Sequence, residues 1–587
     1  MDIERINLDI IFSFLRDHIS TEVVYLALPL ILLFIIISAV HLDKKSIPII
    51  LVAMFAGIIF GKDGLKFWNF DNVMLAKKLA NLALVFILFH GGFCTKKDNL
   101  KIAALPAIGL ATWGVILTSV FTFVCLHFLL GWDKSISMLL SVIIASTDAP
   151  AAFSILRKQA LSRKLESTIE IESAANDPMA ILLTVMVIQA ITEIGDLSYA
   201  VFAGLFLWKF IAGAVLGFVA AKCAARLINM LTPQENAYYY IIMICTPLFT
   251  YGLAEIFFAS GILAAFIAGV VLGNINFVHK QGVYNFSYAV STVANILLLV
   301  LLGVLAQPSG WFSEGLYLNG ALYINAILLF FFLTFIARPA AVFLGTIGMG
   351  LKLKEKIFIA WSGLRGAVPI SLAVYPAAAG IASGMEIFNV VFIAVLLSIA
   401  IQGASLGKIT TWLKLSTVSR PDPPYYLEFI TKDDMDSGQG LTVFTVDLPD
   451  PEGAKGSVIR NLRLPEDALL LMITRRQKVS TMFKKTQKIL SLLNERSIRN
   501  CEEAKELASK AHDVILKIND KKLENKPESE STYIWMVLPP KGDTVLHGWD
   551  QVTILSKTED KEEIEEILLE SFKRAVEHNA KLAKVRV

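Results

Sequence analysis

Ala145-Ser146-Thr147-Asp148-Ala149-Pro150 and Glu172-Ser173-Ala174-Ala175-Asn176-Asp177-Pro178 place three carboxylates inside two largely apolar segments, 135–158 and 167–191. Each segment is long enough to cross a bilayer, which takes about 20 mostly apolar residues. An ionisable side chain at the middle of such a helix costs about 2.5 kcal/mol or more, so it marks either a task or a charge partner. Two later segments repeat the pattern with the opposite sign: Arg338 before Pro339, and Arg365 within Gly363-Leu-Arg-Gly-Ala-Val-Pro369. The fold these stretches imply is an all-α polytopic membrane protein with charges at its centre.

Working outward, the 587 residues are 55% hydrophobic with a mean hydropathy of +0.61, which excludes a soluble enzyme or a disordered scaffold. Thirteen apolar segments can be counted, at 23–41, 46–61, 78–93, 101–130, 135–158, 167–191, 200–228, 237–257, 259–275, 285–306, 319–348, 356–380 and 386–413. With the hydrophilic C-terminal part inside, the N-terminus lies outside. Inside loops then carry fifteen Lys and Arg, from Lys44 to Lys356, against Lys62, Lys66, Lys77, Lys78 and Lys134 outside. That bias supports an odd number of spans. No cleavable signal peptide is read in the first 22 residues. The five cysteines, Cys94, Cys125, Cys223, Cys245 and Cys501, form no metal or disulfide pattern. A net charge of +3 gives no reason to expect nucleic acid.

Proline explains how the central charges could bind an ion. It has no N–H to donate, so Thr147-Asp148-Ala149-Pro150 can unwind and present carbonyl, hydroxyl and carboxylate oxygens to a hard cation. Asp177 in the next span offers a second carboxylate. Desolvated there, it must hold a proton or a cation to be neutral, and that competition is an exchange mechanism. The fifth and twelfth spans are both interrupted and lie seven apart. They therefore cross in opposite directions, as the broken helices of an inverted repeat do. Glu172 and Arg338 are expected to form a buried ion pair, structural or functional.

These motifs, in this order over 23–413, resemble those of bacterial monovalent cation:proton antiporters of the NhaP type, most like the cell volume regulation protein A branch of K⁺/H⁺ antiporters. The resemblance implies a thirteen-helix, NhaA-like antiporter fold in a homodimer. Spans four to six and eleven to thirteen would form a core that moves as an elevator. It implies that Asp177 carries the ion and the proton, that Asp148 and Thr147 lie at the unwound crossover, and that Ser173 adds a ligand. Asn176 would mark the electroneutral branch, Arg338 would pair with Glu172, and Arg365 would belong to the second broken helix. One departure concerns Phe89-His90-Gly91-Gly92, where relatives commonly carry an acid; His90 is a candidate modulator of ion preference or pH response, beside a packing role.

Ser419-Arg-Pro-Asp-Pro-Pro424 ends the last span, and the final 168 residues hold about half of all charges in under a third of the chain. The expected division is a transmembrane exchanger over 1–418, a linker over 419–440, a small α+β cytoplasmic domain over 441–556, and a C-terminal helix over 557–587. Alternation marks strands at 441–447, 468–474, 533–538 and 551–555. A helical insert at about 479–530 separates the middle two. Leu462-x-Leu-Pro465-Glu-Asp-Ala-Leu-Leu and Pro540-Lys-Gly-Asp-Thr-Val-Leu-His-Gly548-Trp-Asp550 resemble the start and end of the TrkA-C subdomain of potassium-conductance regulators. That resemblance implies a small-molecule regulator, with no ligand residue assigned.

The function expected is secondary active exchange of cytoplasmic K⁺ or Na⁺ for external H⁺, set by the tail, with no resident cofactor or metal. A tail-gated ion channel and an ion-coupled organic anion transporter are the alternatives. The first lacks any filter-like Thr-Val-Gly-Tyr-Gly. The second has only Arg338 and Arg365 to meet an anion.

Overall fold

The computed structural model describes residues 29–415 apart from 39–40, 42–47, 66–69, 98–105, 157–160, 193–198, 232–235, 276, 278 and 319. Of the tail it describes 428–429, 441–448, 455–479 without 463 and 466, and 532–585 without 539, 541, 549 and 558–559. The chain divides into two compact units, Met1–Ser419 and Arg420–Val587.

In the first unit the helices are α1 Pro29–Ser38, α2 Ile49–Phe60, α3 Val73–Cys94, α4 Pro106–Leu129, α5 Lys134–Ile143, α6 Ala149–Leu156 and α7 Arg163–Thr192. They continue as α8 Tyr199–Leu231, α9 Asn236–Ile256, α10 Gly261–Gly273, α11 Lys280–Leu305, α12 Leu322–Gly345, α13 Leu353–Ser362, α14 Ala367–Ala378 and α15 Gly384–Trp412. Among the described residues eight of these are long and apolar enough to cross a membrane, or nine when the bent pair α13–α14 counts as one span. Four shorter apolar helices, α1, α2, α5 and α10, fall on the expected first, second, fifth and ninth spans.

Two groups of helices pack chiefly within themselves: α2, α3 and α8–α11 in one, α4–α7 and α12–α15 in the other. The second group comprises the six spans that the resemblance assigns to a moving core. Glycine lets the first group approach closely. A Cβ at Gly269 or Gly273 would strike the backbone of Phe89 or Phe93 on α3, and one at Gly57 would strike Val300 and Gly303 on α11.

Both expected breaks are present, and local chemistry explains them. α5 stops at Ile143, residues 144–148 are non-helical, and α6 restarts with Pro150 in its first turn. α13 stops at Ser362 and α14 restarts with Pro369 in its first turn, bent by 50°. In a first turn proline loses no hydrogen bond, and it cannot take up the carbonyl four residues back, Ser146 or Arg365. α7 runs unbroken through Pro178.

The tail unit is a five-stranded antiparallel sheet in the order β1-β2-β7-β4-β5, beside a two-stranded sheet β3-β6. The strands are β1 Glu428–Phe429, β2 Leu441–Asp447, β3 Lys455–Val458, β4 Leu469–Val479, β5 Thr532–Leu538, β6 Val545–His547 and β7 Gln551–Lys557, followed by α16 Lys561–Val585. Phe444, Val446, Ile473, Leu546, Val552 and Ile554 pack against Ile564, Leu568 and Phe572 of α16. Asp550 is buried, takes two bonds from Arg475 at 2.9 and 2.7 Å and one from the His547 amide at 2.8 Å, and so ties β4 to the end of β6. Two boundaries differ from expectation, and two short strands were not expected. The 419–440 linker contains β1, paired with β2; β7 continues to Lys557 before the last helix; and β3 and β6 were too short to alternate visibly. The expected insert lies outside the described residues.

Candidate functional site: the crossover of two broken helices

The two breaks meet. The Asp148 amide donates to the Leu364 carbonyl at 2.8 Å, and Arg365 Nη1 donates to the carbonyls of Ala145 and Ser146 at 3.0 and 2.6 Å. Arg365 is 2% exposed, a charge buried within the bundle. It satisfies two carbonyls of the unwound stretch just beyond α5, next to the negative pole of that half-helix. Its own amide donates to Ser398 Oγ at 3.2 Å, Ser398 Oγ donates to Gln402 Oε1 at 2.5 Å, and Gln402 Nε2 donates to the Trp361 carbonyl at 3.3 Å.

Asp148 does the converse at the positive poles. Its Oδ1 accepts the Ala151 amide at 2.9 Å, capping α6, and its carboxylate lies directly against Gly366, the residue before α14. A Cβ at Gly366 would overlap that carboxylate, and one at Gly363 would come within 2.8 Å of Arg338 Nε. The two glycines of Gly363-Leu-Arg-Gly366 thus leave room for two charges.

α7 clamps the unwound strand from the other side. Ser173 Oγ accepts the Ala149 amide at 2.9 Å and donates to the Thr147 carbonyl at 2.8 Å. Asn176 Nδ2 donates to Thr147 Oγ1 at 2.6 Å, while the Thr147 amide donates to Asn176 Oδ1 at 3.4 Å. Ser173 Oγ thus ties two backbone groups and keeps one acceptor lone pair. Glu172 Oε1 lies 2.5 Å from Arg338 Nη2, both 3% exposed or less. A wider π turn at Leu333–Ala337 precedes Arg338 and Pro339.

Asp177 is left. Among the described residues it has no ion-pair partner; its neighbours are Asp148, the Ser146 hydroxyl and, through its charge, Arg365. Ser146 Oγ is fully buried and makes no hydrogen bond of normal geometry. Asp148 and Asp177 both keep partial exposure, while Thr147, Ser173 and Asn176 are buried. His90 stands apart from this group. Its ring nitrogens lie 3.1 Å from Ser287 Oγ and 3.3 Å from Cys94 Sγ, between α3 and α11, with Tyr284 and Tyr288 each 5.7 Å away.

The structure adds Ser146, Ser398 and Gln402 to the residues singled out from sequence. A signal existed for Gln402, a buried amide in an apolar span, whereas the two serines are unremarkable in sequence. Crossed half-helices with compensated poles and two carboxylates without ion pairs, Asp148 and Asp177, are the arrangement of a membrane carrier for small cations.

Comparison with known proteins specifies the class. Residues 30–412 match the family described as sodium/hydrogen exchanger, transmembrane, and the chain belongs to that family of cation/proton antiporters. It is 33% identical over 414 residues to the K⁺/H⁺ antiporter NhaP of Alkalimonas amylolytica, covering 70% of each chain. It is 32% identical over 435 residues to the K⁺/H⁺ antiporter NhaP2 of Shewanella sp. (strain ANA-3), covering 74% of each. The solved structure of the sodium proton antiporter MjNhaP1 from Methanocaldococcus jannaschii at pH 8 shares the fold, with a TM-score of 0.59 at 22% identity, over 66% of this chain and 97% of that one.

Proposed function

We propose that the protein exchanges cytoplasmic K⁺, or Na⁺, for external H⁺ one for one, with Asp177 as the carrying carboxylate. The observation that carries this is the charge count at the crossover. Asp148, Glu172 and Asp177 against Arg338 and Arg365 leave one negative charge; Glu172 is paired with Arg338, Asp148 holds the Ala151 amide, and Asp177 has neither an ion pair nor a backbone amide among the described residues. One proton or one monovalent cation neutralises the group, and neither leaves a charge to be moved across the membrane uncompensated. Ser146 Oγ and Thr147 Oγ1, beside partly exposed Asp148, supply neutral and charged oxygens of the kind a hard monovalent cation takes. Ser173 and Asn176 hold that segment in place. K⁺ is favoured over Na⁺ by the names of the more similar relatives, both K⁺/H⁺ antiporters.

In the same proposal the chain crosses the cell inner membrane thirteen times, starts outside, forms a homodimer, and keeps its tail in the cytoplasm, where a TrkA-C-like domain sets activity. The test uses the full chain in proteoliposomes with a proton-sensing dye. Asp177→Asn should abolish K⁺- and Na⁺-driven proton flux while the purified protein stays folded. Wild-type exchange should not respond to an imposed membrane potential. Half or more of wild-type flux in Asp177→Asn rejects the carrier assignment, and stimulation by a potential rejects one-for-one exchange.

A further inference from the structure

Away from the crossover, a second set of polar side chains links the two helix groups. Tyr375, on α14 and only 3% exposed, donates its hydroxyl to Asn81 Oδ1 on α3, across 294 residues of sequence. Lys77 Nζ, one turn before Asn81 on α3, sits 5.0 Å from the centre of the Tyr375 ring, within cation–π range. Tyr251 and Glu255, one turn apart near the end of α9, face Asn81 and Lys77. Glu255 is itself held by the Gly261 amide at 3.0 Å.

The position of this cluster gives it meaning. Ala367 begins α14 at the crossover, and Tyr375 lies eight residues further on, about 12 Å along the helix. α3 starts, and α9 and α14 end, at this side of the bundle. The same half-helix thus touches the ion site with one end and grips the other helix group with the other.

We propose that Tyr375, Asn81 and Lys77 form a latch that closes one end of the path to Asp177 and opens once in every transport cycle. The inference rests on the exchange reading, because a carrier must expose Asp177 to each side in turn. A hydrogen bond and a cation–π contact suit a contact that is broken repeatedly. Each has a modest net worth, and each partner finds water or Glu255 when released. A purely apolar seam between α3 and α14 would have no such directional register.

The test reads accessibility instead of flux, so its outcome does not depend on which ions are carried. Ser371 is buried one turn before Tyr375 on α14. Ser371→Cys in the full chain is exposed to a membrane-impermeant maleimide in vesicles of either orientation, and labelling is followed by mass spectrometry of the peptide carrying residue 371. Val374→Cys serves as a second reporter. With the latch intact, labelling should be slow from the face where α3 starts. Tyr375→Phe and Lys77→Met should each raise it from that face alone by about two- to tenfold, as the loss of one modest contact allows. Lys77→Arg, which keeps a cation over the ring, should stay slow. Unchanged rates overturn the latch, and so does an equal rise from both faces, the mark of general loosening.

Discussion

Removing one member of the Glu172–Arg338 pair should harm the protein more than removing both. The two groups are 2.5 Å apart and essentially without water, so Glu172→Gln leaves a guanidinium, and Arg338→Met a carboxylate, stranded in the bundle. Losing one partner of such a pair costs about 3–5 kcal/mol, whereas replacing both by uncharged side chains of similar volume is often close to neutral. The surroundings favour the upper end for the loss of Glu172. Arg338 Nε has no hydrogen-bond partner, and Gly363 presses close to the guanidinium, so it has no room to turn elsewhere. For the loss of Arg338 the cost should be smaller, because Arg365 already interacts with Glu172 through its charge. Thermal unfolding of detergent-purified single and double variants gives the comparison. Midpoints should rank wild type, double variant, Arg338→Met, then Glu172→Gln. Additive losses in the double variant would show that the two groups are not coupled, and the argument from stranded charge would fail.

Three further outcomes follow from the geometry. Gly366→Ala puts a methyl group onto the Asp148 carboxylate and should abolish exchange in vesicles, whereas Gly91→Ala, with nothing within 4 Å, should leave it at wild-type level. Asn176→Ala should reduce exchange less than Asp177→Asn does, since it removes the hold on Thr147 and not the exchanged charge; equal loss in the flux assay would contradict this. In the tail, β4 and β5 pair in register up to Val479 opposite Thr532. Replacing residues 480–531 with a two-residue Asn-Gly turn should therefore leave cooperative melting of the tail intact, with circular dichroism losing only the insert's helical signal, and a molten tail would show that the insert belongs to its core.

Truncation after Lys414 bears on the regulatory reading. Exchange should persist with altered dependence on pH, ion level or cytoplasmic metabolites. A truncated protein with the full chain's pH profile and ion affinity would refute a regulatory tail.

Much of this protein is legible in its sequence because membranes enforce local rules. Long apolar segments announce themselves, and a charge inside one stands out against a background that excludes charge. Pro150 and Pro369 mark where helices restart, since the missing N–H acts on the carbonyl four residues back whatever the surroundings. Strands β2, β4, β5 and β7 alternate visibly enough to be read, while β1, β3 and β6 are held by their partners and have no pattern of their own. Sequence could not rank the carboxylates. Asp148 and Asp177 look alike, each just before a proline, yet one lies where two half-helices point their positive ends and the other faces a hydroxyl, a like charge and the field of Arg365. Nor could spacing bring Arg365 to the carbonyls of Ala145 and Ser146, or join Tyr375 to Asn81. Those depend on distances between elements far apart in the chain, and such distances exist only once the helices have packed.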